Sequence, residues 1–329
     1  IFVKEPKGQK LTRVYHADLY GLRKNKYKWL GKNDIRTTDW EGLEARAEQY
    51  FFVPKDFSLE KEYLSYPIVT DIFPINKNGL KTDRDNLFFD FDREELERRI
   101  KIFYSEAGLK SPFAQNYRVL NSSSYDLISR RNETTFDESN IYCCLYRPFD
   151  RRWLYYSTKL TSRPAEQVMS HILAGNNIAL IACRQFAAYQ HFTINCTNIL
   201  TEISSQPYAP LNIFPLYLYP RKEKDKLFED SKWPAGKDGR IPNLSPEFVE
   251  ELAEKIKLEF VSDGRGNLGV FDNKPQVEPG AKYKGVDSRF RWNDNVGTFG
   301  PEDVFDYIYG VFHSPEYRRR YAEFLKIDF

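Results

Sequence analysis

Tyr146-Arg-Pro-Phe-Asp-Arg-Arg-Trp-Leu-Tyr-Tyr156 is the densest mixture of arginine and aromatic residues in the chain. With the residues just before it, it reads as strands near Ile141 to Tyr146 and Trp153 to Tyr156, since aromatic and β-branched side chains suit a pleated, half-buried backbone. Downstream, the spacing predicts a helix with Pro164 at its first position and Gly175 as its stop, then strands at Ile178 to Cys183 and His191 to Asn195. Upstream of a polar stretch, Ser122 to Asn140, Asp92 can cap a helix with Glu95 placed to complete a capping box. Leu96, Ile100, Phe103 and Ala107 then fall on one face.

Short strands are expected at Tyr50 to Val53, Ile68 to Phe73 and Leu87 to Phe91, separated by Pro, Asn and Asp turn chemistry. Residues 1 to 4 and roughly 11 to 17 alternate as a β-hairpin would, and a basic helical segment, Leu22 to Leu30, follows. Toward the C-terminus, Pro220 to Pro242 is rich in charge, Pro and Gly and reads as a linker or surface excursion. Ser245-Pro246, Gly300-Pro301 and Ser314-Pro315 each pair a cap with a proline, predicting helices near 246 to 257, 301 to 312 and 315 to 325, the last two as a helical hairpin. The fold class expected is α+β, a mixed β-rich domain followed by a C-terminal helical subdomain.

A chain of 329 residues can bury one large core or two modest ones. No run approaches the roughly 20 apolar residues of a membrane helix and no segment resembles a signal peptide, so a cytoplasmic protein with no membrane partner is expected. The first residues, Ile1-Phe2-Val3-Lys4, read as a strand already in progress, as in a fragment of a longer protein. A net charge of +2 excludes a uniformly basic nucleic-acid binder but hides clustering. Nine Lys or Arg face two acids between Lys4 and Lys32. From Cys143 to Leu200, Arg147, Arg151, Arg152, Lys159, Arg163 and Arg184 face only Asp150 and Glu166.

Cys143, Cys144, Cys183 and Cys196 lack CxxC spacing and read as buried free thiols. His16, His171, His191 and His313 lie far apart without metal-ligand spacing, so no metal is expected. Gly264-Arg-Gly-Asn-Leu-Gly269 matches the dinucleotide fingerprint literally, but Val270 to Pro275 contain Asp, Asn and Pro and are unsuited to open the helix that fingerprint needs. No nucleophile elbow, Walker loop, diagnostic carboxylate pair or metal-nuclease cluster is present, and no catalytic residue is nominated. The Arg147 to Arg163 region, continued by Arg184-Gln185, suits DNA, because guanidinium forks bind phosphates or guanine edges and Gln pairs similarly with adenine. The same composition also suits, and by itself slightly favours, a strand pair whose arginines meet Asp150 and whose rings fill the core.

Tyr20-Gly-Leu-Arg-Lys-Asn-Lys-Tyr-Lys-Trp-Leu30, Asp71-Ile-Phe-Pro74, Tyr146-Arg-Pro-Phe-Asp-Arg-Arg-Trp153 and Phe214-Pro-Leu-Tyr-Leu-Tyr-Pro220 occur in this order. With Leu244-Ser-Pro-Glu-Phe248, Phe305-Asp-Tyr-Ile-Tyr309 and His313-Ser-Pro-Glu-Tyr-Arg318, the chain resembles the C-terminal specificity region of single-polypeptide, Type ISP restriction-modification enzymes. In that family one polypeptide carries nuclease, translocase, adenine-specific methyltransferase and target-recognition units. The resemblance implies that residues 1 to about 17 close the methyltransferase sheet. It also implies that S-adenosylmethionine serves the parent enzyme and not this fragment, since the Asn-Pro-Pro-Tyr signature and its cofactor loop are absent here. Gln276 to Gly297, with Gly285-Val-Asp-Ser-Arg-Phe-Arg-Trp-Asn-Asp294, departs from the family pattern and reads as an exposed inserted loop.

The resulting expectation has three parts: residues 1–35, the end of the methyltransferase sheet with a connecting basic helix; 36–220, a DNA target-recognition domain; and 221–329, a helical support region with an insertion near 276–297. Double-stranded DNA and the upstream methyltransferase domain are the partners implied. Lys24, Lys26 and Lys28 are expected to grip phosphates, with Arg147, Arg151, Arg152, Arg163, Arg184 and Gln185 facing DNA. The fragment itself is expected to be non-catalytic. The alternative of a different class is a protein-docking module that couples methyltransferase to nuclease with only non-specific DNA contact.

Overall fold

The computed structural model describes residues 13–44, 51–183, 194–205, 210–220, 226–268 and 297–325. The chain divides into two compact units, Ile1–Tyr63 and Leu64–Phe329. In the first, β1 (Val14–His16) runs antiparallel to β2 (Glu41–Leu43), and the basic segment forms a helix, Arg23–Leu30. Residues 1–4 and the turn of the expected hairpin lie outside the described residues. The helix buries none of its side chains; Lys and Arg are good helix formers, and Arg23 donates to the Tyr27 hydroxyl one turn on (3.0 Å).

The second unit is α+β and is built on two four-stranded sheets. One has the order β3 (Lys77–Asn78), β10 (Leu211–Pro215), β7 (Ala179–Cys183), β8 (Ile194–Thr197), all antiparallel. All five residues of β7 are buried, as a continuous apolar run requires when both faces of a strand are covered. The other has the order β4 (Phe89–Asp90), β6 (Asp150–Tyr155), β5 (Ile141–Arg147), β9 (Leu200–Thr201), with β9 parallel to β5 and the rest antiparallel. Asn198 and Ile199 alone carry the chain from β8 into β9, so the sheets are joined side by side.

The helix Arg93–Tyr104 forms where its period places it. The Asp92 carboxylate accepts from the backbone of Glu94 and Glu95, and Leu96, Ile100 and Phe103 are buried. Glu95 pairs with Arg98. The three C-terminal starts also form helices, Pro246–Ile256, Pro301–His313 and Pro315–Arg320, with Ser245 and Ser314 accepting from the backbone at their N-termini. Between these helices, β11 (Tyr217–Leu218) pairs with β12 (Ile241–Pro242) and β13 (Glu259–Phe260) with β14 (Thr298–Phe299). Among the described residues no helix is long and apolar enough to cross a membrane.

Several local expectations change. Ile68 to Phe73 is not a strand: Val69–Ile72 is a helical turn, because Val69, Ile72 and Phe73 meet the core at i, i+3 and i+4, a helical period. Phe51 to Val53 is irregular, and Leu87 and Phe88 belong to a helical turn that ends before β4. The helix after Pro164 starts only at Glu166, because Ala165 adopts φ 50° as its cap and leaves the proline outside. Of the thiols, Cys144 and Cys183 are buried, but Cys143 is half-buried and Cys196 exposed. Gly264 to Leu268 opens no helix. Gly266 instead lets two backbones touch, since a Cβ there would lie 2.2 Å from the Thr298 carbonyl oxygen.

Candidate nucleic-acid interface

The β5–β6 hairpin holds its arginines in two ways. Arg147 donates to the buried Glu202 carboxylate at 2.6 Å, and Arg152 meets Asp150 through both Nε and Nη2, the latter at 2.8 Å. Both guanidinium groups lie 4.0 Å from the centroid of the Tyr146 ring, and Arg152 also lies 4.3 Å from that of Phe91. Tyr146 packs 4.7 Å from Phe89 and donates to Asp85 at 2.9 Å. Burial, opposed by the Ser204 amide and Arg147, holds the Glu202 carboxyl above its ordinary value. Both guanidinium groups therefore have partners within the chain, Arg152 on Asp150 and Arg147 on Glu202.

Arg151 differs. Alternation along β6 sends neighbouring side chains to opposite faces. Arg152 lines a small cavity of about 360 Å³ with Phe91, Arg99 and Tyr117, whereas Arg151 lines a cleft of about 780 Å³. Arg151 is exposed, and among the described residues it has no ion-pair partner.

That cleft gathers side chains the sequence kept far apart. Pro148, Phe149 and Arg151 come from the hairpin, Asn176 from the loop before β7, and Asn195 and Asn198 from β8 and its exit. Glu302, Phe305, Asp306 and Tyr309 come from one face of the Pro301–His313 helix. Asn176 and Asn198 are exposed and Asn195 is half-buried. Among the described residues, none of these three side-chain amides is hydrogen-bonded within the chain. Asn177 beside them is saturated: its Nδ2 donates to the His171 and Tyr217 carbonyls, and its Oδ1 accepts from the Ile178 and Tyr217 amides. The other cleft cations are tied, Arg265 to Asp306 at 2.7 Å and Arg240 to Asp263 at 2.6 Å. Tyr217, under the Arg240 guanidinium, has its phenol pushed up to about 12 by burial and stays neutral.

Of the remaining expected contacts, Arg163 is exposed and its backbone bridges to Lys81, outside the cleft. Lys24, Lys26 and Lys28 all lie on the Arg23–Leu30 helix. At two-residue spacing Lys24 and Lys28 share a face, and Lys26 lies on the other side. Arg184 and Gln185 lie outside the described residues. The three asparagines went unremarked in the sequence because single Asn residues in loops carry no spacing signal.

The cleft thus sits in an α+β body beside a C-terminal helix and is lined by polar side chains from separate parts of the sequence. The chain belongs to the Type ISP C-terminal specificity domain family, whose profile matches residues 71–329. Its fold is similar to that in the cryo-EM structure of a DrdV–DNA complex, with a TM-score of 0.61 and 18% identity over 93% of this chain and 27% of that one. A nuclease-deletion mutant of the Type ISP restriction-modification enzyme LlaGI, in complex with a DNA substrate mimic, is similar at TM-score 0.59 and 18% identity, over 96% and 21%. The ATP-dependent Type ISP enzyme LlaBIII bound to DNA is similar at 0.55 and 18%, over 88% and 16%. The chain therefore spans between 16% and 27% of the length of these structures. No curated protein matches it in sequence.

Proposed function

We propose that the chain is the sequence-specific double-stranded DNA recognition module of a restriction-modification enzyme. The observation that carries this reading is the cleft wall, where Arg151, Asn176, Asn195 and Asn198 present unengaged donors and acceptors on a braced frame. An arginine fork matches the O6 and N7 acceptors of guanine, and an asparagine amide matches the N6 donor and N7 acceptor of adenine. Arg147 and Arg152 stiffen the hairpin that carries Arg151. Arg163 and the lysines of the Arg23–Leu30 helix supply phosphate contacts, which position a duplex without reading it. Arg184 and Gln185 remain candidate base readers. That the three similar structures contain DNA or a DNA mimic supports the same reading.

In the whole enzyme, at work in the cytoplasm, this module would set one adenine where an upstream methyltransferase unit can take it out of the stack, because such chemistry needs an unstacked base. S-adenosylmethionine and the nuclease activity belong to those upstream units, whose signatures this sequence lacks. Selection from randomised duplex DNA at moderate salt tests the proposal. Enrichment of a short, asymmetric, adenine-containing site is the expected result. Retention without enrichment overturns it in favour of a docking module that holds DNA only non-specifically.

A further inference from the structure

The β5–β6 hairpin turns in two residues, Pro148 and Phe149, between the paired Arg147 and Asp150. Proline fixes φ at about −65°. That excludes the I′ and II′ turns that suit hairpin twist, because both need positive φ at the first turn residue. Phe149 instead adopts φ 62°, a left-handed conformation that Gly or Asn normally fills and a bulky side chain disfavours. Its side chain recovers nothing inside the chain: the residue is 96% exposed, while Tyr146 packs on Phe89 and Tyr155 is buried.

The setting of this ring points to its ligand. Phe149 stands on a narrow tip with Arg147 and Arg151 two residues to either side, and it lines the same cleft as Arg151. A protein-docking anchor works within a rim of further apolar contacts that exclude water, whereas at 96% exposure this ring projects from the hairpin tip with Arg151 two residues away. With Arg151 beside it, unpaired among the described residues, a polyanion with stacked planar groups suits it well, because an apolar ring can slide between bases. We infer that Phe149 is a wedge, inserting its ring between adjacent base pairs of the bound duplex. This rests on the DNA-recognition reading above. Pyrimidine–purine steps unstack most easily, so the wedge favours one such step and reads it through its deformability, without a hydrogen bond.

The experiment uses the duplex enriched by selection, with 2-aminopurine replacing each purine in turn, because its fluorescence rises when a neighbour unstacks. Wild-type protein brightens the probe at one pyrimidine–purine step. Phe149→Ala abolishes that rise and weakens binding about tenfold, within the range of one base–aromatic stack. Phe149→Trp restores both. Phe149→Gly, which fits the left-handed backbone without strain, binds like the alanine variant and melts no lower than wild type, so the loss is not one of folding. If the wild type enriches a site but leaves every probe dark, or if the alanine variant gives the wild-type probe profile, the wedge is wrong and DNA recognition stands. If the wild type enriches no site, the recognition reading fails and takes the wedge with it.

Discussion

The helix Arg23–Leu30 and the β5–β6 hairpin both concentrate cations, and they use charge in opposite ways. On the helix no side chain is buried, and among the described residues Lys24, Lys26 and Lys28 have no ion-pair partner. On the hairpin Arg147 and Arg152 are bound to acids and stacked on Tyr146, leaving Arg151 as the cation of the three without an ion pair among the described residues. A solvated lysine gives attraction that salt screens and that ignores sequence, whereas a guanidinium on a stiff frame gives direction. On the proposed reading, basic residues near one another in sequence divide into those that attract, those that brace and those that read.

The largest effect expected from this division falls on a bracing residue. Arg147→Ala leaves Glu202 buried without its cation and removes one stack on Tyr146. Breaking a buried pair costs about 3–5 kcal/mol, and the partial exposure of Arg147 puts the loss near the lower end, about 3 kcal/mol in chemical denaturation. DNA preference should survive in the fraction that remains folded. A loss below about 1 kcal/mol would mean that the hairpin is not braced by this pair.

Arg151→Ala should do the reverse. Stability should change by no more than about 0.5 kcal/mol, as at surface sites without special contacts, while discrimination at one base pair relaxes by about 1–3 kcal/mol. Competition binding against single-base variants of the selected site reads this directly. Asn195→Ala and Asn198→Ala, each tested alone, should relax preference at adenine positions by a similar or smaller amount. Equal weakening on every sequence would move these residues to the attracting class.

The helix lysines should show only that attracting behaviour. Lys24→Ala with Lys28→Ala, on one face, should weaken all duplexes alike and lower the salt slope by about two, against about one for Lys26→Ala alone. If Lys26→Ala equals the pair, the helix face in use is the opposite one. The smallest effect concerns pH. The folded Glu202 carboxyl lies above its ordinary value of 4.5, so the folded chain holds that proton more tightly than the unfolded chain. Its contribution to stability is present below about pH 4.5 and is lost as pH rises through the folded-state value. Arg147→Ala removes a charge that lowers this value, so the loss should extend to higher pH in unfolding curves collected across that range.

Much of the frame was legible because its signals are local. The Arg93–Tyr104 helix follows from Asp92 and a 3.6-residue apolar period, the C-terminal helices from Ser or Gly before Pro, and β5 and β6 from dense aromatic patterning. Misreadings arose where one residue outweighed the pattern. The left-handed Ala165 pushed a helix start past its proline, and Val69 and Ile72, β-branched but helically spaced, turned a strand into a helical turn. The cleft was illegible for a different reason. Asn176, Asn195 and Asn198 lie on two sides of β7 and meet Arg151 only because β8 passes directly into β9 at the edge of the other sheet.

By itself, the sequence determined the α+β class, the basic helix, the arginine-rich hairpin and the family resemblance, because propensity, capping and motif order are written in neighbouring residues. Only the tertiary structure decided which arginines are paired within the hairpin's surroundings and which lines the open cleft. The partner that silences Arg147 stands 55 residues away at Glu202, and no local pattern records a pairing made by sheet register.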